Sequence, residues 1–185
     1  MSRRVSARTD MDIARRLMVS PLFKGMSVED VDKCFTCSGA LCVTYRKGEM
    51  IFTEEDEPNK LHILLEGGVR VGYDSFDGNR RVIGTFSSTG DIFGDILLFL
   101  GKKEYGVFAQ ATCGTRIVVL PRDFMTGTCV NGCDYHKQLT SNLLMIFAGN
   151  AYALNMRLRI LSCPTLRQKI ANMLSIYNDR DMTKP

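Results

Sequence analysis

The 185-residue chain reads as a mainly β protein with α-helical flanks: a small β-roll or barrel, preceded by short helices and followed by one long helix. Three observations predict this. Between residues 40 and 120, short runs of β-branched and aliphatic residues alternate with clusters of turn-forming residues, an all-β texture. Asp77-Gly78 lies between two such runs and marks a tight hairpin, because the turn needs residues that tolerate positive φ. From residue 134 to 162 the spacing changes to an unbroken helical pattern.

In order along the chain, residues 1–9 are polar and basic and are expected to be loose. Ile13, Leu17 and Met18 suggest a short helix stopped at Ser20-Pro21. Ser27 with Asp30 has the spacing of a capping box, so a helix is expected over residues 28–35. Strands are expected over residues 40–45, 50–52, 60–65, 69–73, 81–86, 107–112 and 115–120. Residues 121–125 start another helical piece, which Gly127 and Gly132 break.

The long helix carries two apolar stripes. Leu144, Phe147, Ala151, Leu154, Leu158 and Leu161 form one, and Leu139, Leu143, Ile146, Ala153 and Ile160 form the other. A surface helix needs a single stripe, so two imply burial from two sides, by the roll and by a partner subunit. Cys163-Pro164 ends it. Thr165 and Gln168 form a second capping box, opening a helix over residues 166–177 with Leu166, Ile170, Leu174 and Tyr177 on one face.

Composition bounds the function. The hydrophobic content of 45% supports a real core, and the formal charge of +4 is only mildly basic. Arg3, Arg4, Arg8, Arg15 and Arg16 read as a solvated leader. No apolar run approaches the length of a membrane span, and no secretory signal is evident, so a cytoplasmic protein is expected. Seven cysteines, an odd number scattered through core-like segments, fit reduced thiols better than a disulfide framework.

The stretch with functional content is Gly90-Asp-Ile-Phe-Gly94, followed by Gly101-Lys-Lys-Glu-Tyr-Gly106 and Val107. It reads as a strand end, a glycine turn, one or two turns of helix and a return strand, an arrangement that can cup a small anion at a helix N-terminus.

Several separate motifs, in order, resemble the sensor half of the Crp/Fnr transcription regulators. They are residues 46–52 (Arg-Lys-Gly-Glu-Met-Ile-Phe), 64–71 (Leu-Leu-Glu-Gly-Gly-Val-Arg-Val), Asp77-Gly78, 90–94, 119–122 (Val-Leu-Pro-Arg) and 166–171 (Leu-Arg-Gln-Lys-Ile-Ala). The resemblance implies a double-stranded β-helix or jelly-roll sensor over residues 20–133, after a tail and first helix at 1–19. It further implies a dimerisation helix over 134–163, with Leu144, Phe147, Ala151, Leu154, Leu158 and Leu161 as the homodimer seam. Residues 164–185 would begin a winged helix-turn-helix domain, incomplete here, so DNA contact is expected only through a fuller reader.

In cyclic-nucleotide-binding members the cup reads Phe-Gly-Glu and then Arg followed by Ser or Thr and Ala. The resemblance then places Phe93, Gly94, Asp95, Ile96, Tyr105, Gly106 and Val107 at the effector, with Leu154 and Asn155 touching it from the long helix. Asp95 stands for the glutamate and Tyr105 for the phosphate-binding arginine. Tyrosine carries no positive charge, so an unidentified small-molecule effector is expected over a cyclic nucleotide, and Lys102 or Lys103 compensates only in part. A ligand-unresponsive interaction module of the same fold is the alternative.

Cys34, Cys37, Cys42 and Cys113 are candidates for an iron–sulfur cluster, but their placement on a helix end and a strand favours buried free thiols. Cys129, Cys133 and His136 supply three donors without a fourth and read as a loop, and His62 reads as a strand residue. No metal or cofactor is expected. No Ser–His or Cys–His pair is recognisable, and Glu54, Glu55, Asp56 and Glu57 read as a solvated turn, so an enzyme is not expected.

Overall fold

The structure, a computed structural model, describes residues 3–6, 11–126 and 134–182. They fall into two compact units, Met1–Leu143 and Leu144–Pro185. Cys129, Cys133 and the glycine break expected over residues 127–132 lie outside the described residues.

The first unit holds two antiparallel sheets. One has the order β1-β2-β9-β4-β7, built from β1 (Arg3–Ser6), β2 (Leu41–Tyr45), β9 (Thr115–Pro121), β4 (Lys60–Glu66) and β7 (Ile92–Phe93). The other has the order β3-β8-β5-β6, from β3 (Met50–Phe52), β8 (Phe108–Ala111), β5 (Val69–Asp74) and β6 (Arg80–Phe86). Val43, Leu64, Phe93, Ile117 and Val119 of the first sheet meet Phe52, Val69 and Ala109 of the second in one core cluster. This is the expected β-roll. At the hairpin, Gly78 takes φ 77° and donates to the Ser75 carbonyl, as Asp77-Gly78 requires.

Leu61, Ile63, Leu64 and Leu65 of β4 are all buried, so this strand has no solvated face. Against this sheet α1 (Met11–Leu17) packs on β4 and α2 (Val28–Ser38) on the neighbouring β9, and the two helices bury Ile13, Ala14, Leu17, Val31, Cys34 and Phe35. Each large apolar side chain so buried contributes about 1.5–3 kcal/mol. Between the helices a single 3-10 turn, Pro21–Phe23, sets Phe23 edge-on to Phe35 at 5.7 Å. The Ser27–Asp30 capping box forms, and Gly39 closes α2 in the left-handed conformation at φ 64°.

One expectation needs correction. Residues 3–6, expected to be loose, form β1, which pairs with β2 from Arg3–Thr44 to Ser6–Leu41. Backbone pairing with an available edge overrides a polar, charged sequence, which nothing local could reveal. Ile92–Phe93 form the expected strand end before the Gly94 turn.

After α3 (Arg122–Thr126), helix α4 runs over Asp134–Leu161. Its first ten residues belong to the β-roll unit and bury His136, Leu139, Asn142 and Leu143. Asn142 Nδ2 donates to the carbonyls of Leu22 and Lys24, both at 2.8 Å, and Gln138 Nε2 donates to Asn142 Oδ1. The second unit comprises the rest of α4 and α5 (Leu166–Met182). Thr165 and Gln168 cap α5 reciprocally, at 3.3 Å in each direction. Leu144, Leu154, Leu158 and Leu161 are exposed, as are Leu166, Ile170, Met173 and Leu174.

Candidate functional site

The cup is anchored at its entrance. Gly90 N–H donates to the Leu64 carbonyl and Leu64 N–H to the Asp91 carbonyl, both at 2.8 Å, while the buried Ser20 hydroxyl donates to the Gly90 carbonyl. Residues 92–93 then pair with β4, His62 opposite Phe93. At Gly94 the backbone turns with φ 71°, and a Cβ there would lie 3.1 Å from both His62 Nδ1 and Phe52 Cε1. Both the dihedral and the space exclude a side chain.

Beyond Gly94 the structure corrects the expected short helix. Residues 96–101 form consecutive turns held by bonds of the three-residue kind, Leu98 N–H to Asp95 O and Leu100 N–H to Leu97 O. Gly101, at φ 62°, ends them before an α-helical ladder can start. The chain returns where Tyr105 N–H donates to Asp56 O at 3.0 Å and Gly106 N–H to Glu54 O at 2.8 Å.

The residues expected at the effector are distributed unevenly. Phe93 and Tyr105 are buried, Asp95 is 6% exposed, and Val107 packs on the core cluster. Ile96 is exposed, and its neighbour Leu97 packs on the cluster instead. Gly106 is exposed. Leu154 and Asn155 are exposed on the second unit.

Tyr105 is a structural residue as well as a cup residue. Its ring stacks on Phe52 at 3.9 Å and 12°, and its hydroxyl donates to the Lys60 carbonyl at 3.3 Å. Burial, with the nearby carboxylates of Asp56 and Asp95, pushes the phenol well above its ordinary range, so it stays a neutral donor. Burial likewise raises the Asp95 carboxyl, opposed by the backbone N–H groups of Asp95 and Ile96. Among the described residues no ion pair reaches Asp95, and Lys102 and Lys103 are exposed.

A groove of about 290 Å³ opens beside Tyr105, lined also by Ile51, Phe52, Asp56, Glu57, Asn59, Lys60 and His62. Sequence reasoning treated 54–57 as a solvated turn. Asp56 and Glu57 are indeed exposed, yet the fold sets them on a concave surface. The missed signal is the aromatic wall: Phe52 and Phe93 flank the His62 ring, each at 5.3 Å. His62 is buried, its Nδ1 has no hydrogen-bond partner, and burial beside Lys60 holds its pKa down to about 3.

Cys34 and Cys37 lie on α2, Cys42 on β2 and Cys113 in the β8–β9 turn, with Cys34 and Cys42 buried and Cys37 and Cys113 exposed. Among the described residues no group of three or more His, Cys, Asp or Glu side chains converges as a metal site would require. No described helix is long and apolar enough to cross a membrane.

The two-sheet roll is interrupted by a glycine-bounded turn segment and followed in the chain by a long helix. Residues 42–130 match the family model described as the cyclic nucleotide-binding domain. Among solved structures, the Thermus thermophilus catabolite activator protein aligns with TM-score 0.64 and 25% identity, over 77% of this chain and 63% of that one. This chain therefore spans less than two thirds of the Thermus protein. A cyclic nucleotide-binding domain from Methylobacillus flagellatus aligns with TM-score 0.68 and 20% identity, over 88% of this chain and 92% of that one. The sensor domain of the transcriptional regulator DNR from Pseudomonas aeruginosa aligns with TM-score 0.58 and 18% identity, over 82% and 93%. Among curated proteins no significant match is found. Residues 42–130 are thus similar to the cyclic nucleotide-binding domain, on a fold shared with the sensor part of these regulators.

Proposed function

We propose that the chain is the effector-sensing and dimerisation module of a transcription regulator. A small molecule bound in the cup of residues 93–107 biases α4, and α4 relays the change to a DNA-reading segment. One observation carries the reading: α4 is a single helix whose first ten residues are built into the roll and whose later turns expose Leu154, Leu158 and Leu161. An element shared in this way couples two events when each favours a different arrangement of it. The exposed leucines fit a seam with a second copy.

The effector is uncharged or weakly polar. Tyr105 offers a neutral hydroxyl where a cyclic phosphate needs a cation, and Asp95 is a carboxyl whose charged form burial disfavours. Titration calorimetry against cyclic AMP, cyclic GMP and a panel of uncharged metabolites tests this. Binding by a panel member, with the cyclic nucleotides at least tenfold weaker, supports the reading. Tight cyclic nucleotide binding refutes the assignment of effector class. A second reading, a ligand-unresponsive scaffold of the same fold, is favoured by the Tyr105–Phe52 stack, which occupies core space. Silence across the panel, with no change in α4 hydrogen exchange, selects it.

A further inference from the structure

The hairpin of β5 and β6 stands at the edge of its sheet, and its root is tied to the cup through one residue. β8 pairs with β5 only from Val69 to Gly72, so the strand ladder on that side stops before Asp74. A backbone N–H beyond the end of a ladder needs another acceptor. For Asp74 it is the Glu54 carboxylate, whose Oε1 accepts from the Asp74 N–H at 2.6 Å. The Glu54 carbonyl meanwhile accepts from the Gly106 N–H at 2.8 Å, at the end of the cup. One half-buried residue thus holds the hairpin with its side chain and the cup with its backbone.

The hairpin side of this joint is stiffened by charge. The Asp74 carboxylate takes two bonds of 2.8 Å from the Arg80 guanidinium, a bidentate pair across the hairpin root. The same guanidinium lies 4.3 Å over the ring of Phe108, a buried residue that closely follows Gly106 in the chain. Gly72 makes the room, since a Cβ there would come within 2.8 Å of Phe108 Cζ. The contacts close a ring that runs from Gly106 through Glu54, Asp74 and Arg80 to Phe108. The turn of the hairpin is instead held from within, Asn79 and Arg81 both donating to Asp77, and Phe76, Val82 and Ile83 are exposed. Where the hairpin points is therefore set at its root.

We propose that Glu54 is a positioning residue that joins the cup to the β5–β6 hairpin, so that displacement at Gly106 re-aims the hairpin as an output separate from α4. A shift of the Glu54 backbone carries its carboxylate along, and the bidentate pair makes Asp74 and Arg80 follow together. The trigger, a ligand in the cup, rests on the function proposed above; the joint itself does not.

Coupling is demonstrated when cutting one end changes the other. The test is residue-resolved amide hydrogen exchange of the full chain without ligand. Arg80→Met removes the pair with Asp74 at an exposed position and is expected to speed exchange at the Tyr105 and Gly106 amides at least about fivefold. Glu54→Ala is expected to do so at Asp74 and Gly106 together, and Glu54→Gln, which keeps an acceptor, to restore most of the protection. Asp77→Asn, confined to the hairpin turn, should leave both cup amides unchanged, and the Leu64 and Ile117 amides of the other sheet should hold their rates in every variant. Unchanged cup amides in Arg80→Met, no rescue by Glu54→Gln, or a quickening of Leu64 and Ile117 by the same factor overturns the proposal. Because no ligand is present, this failure is separable from that of the effector reading.

Discussion

Tyr105 concentrates the chemistry of the cup in one side chain. Tyr105→Phe removes the bond to the Lys60 carbonyl but keeps the Phe52 stack, so it should cost about 1 kcal/mol in urea unfolding. Tyr105→Arg supplies the missing cation, and cyclic AMP affinity should rise at least about tenfold in calorimetry while the lost stack lowers Tm. His62 sets a pH dependence. Unfolded, it takes a proton near 6.5; folded, it does not until about 3. Between those values the unfolded chain binds more protons, so stability falls as pH drops, by about 2 kcal/mol between pH 7 and pH 5. Urea midpoints across that range should show the slope, and His62→Leu should flatten it. The same substitution should cost only about 1 kcal/mol at pH 7, because it loses the bond to the Phe93 backbone but also removes the Nδ1 atom that has no partner.

At the scale of elements, legibility followed locality. The strands over 50–52 and 69–74 were readable because Gly48, Gly67 and Asp77-Gly78 punctuate them, and both capping boxes were readable from three-residue spacings. Strand β1 was not, because Arg-Arg-Val-Ser has no strand pattern and gains its structure from a partner forty residues away. The turns after Gly94 misled because Ile96, Leu97, Leu98 and Leu100 have helical spacing, while Gly101 stops the ladder. Of the cup, the order of residues was legible but the stack of Tyr105 on Phe52 was not, since it depends on two strands meeting in the core. Asn142 was missed for the same reason. Its two bonds fasten α4 to the 3-10 turn, so Asn142→Leu should leave the Leu22 and Lys24 carbonyls unsatisfied and cost about 2–3 kcal/mol, read from denaturant midpoints.

For the whole molecule, the proposed seam makes a claim about mass. Leu154 and Leu158 are exposed in a single chain, 55% and 60%, and apolar surface of that extent is normally covered. Leu154→Asp combined with Leu158→Asp should shift the sedimenting species from dimer to monomer without lowering the stability of the roll, since both residues lie in the second unit. An unchanged dimer mass would remove α4 from the interface.

The N-terminal strand has a consequence for solubility. Without β1, β2 would end its sheet as a bare row of amides and carbonyls over Leu41, Cys42 and Val43, open to pairing with another molecule. Residues 3–6 thus act as a selvedge, and chains shortened past Ser6 should scatter more light on standing at the same concentration.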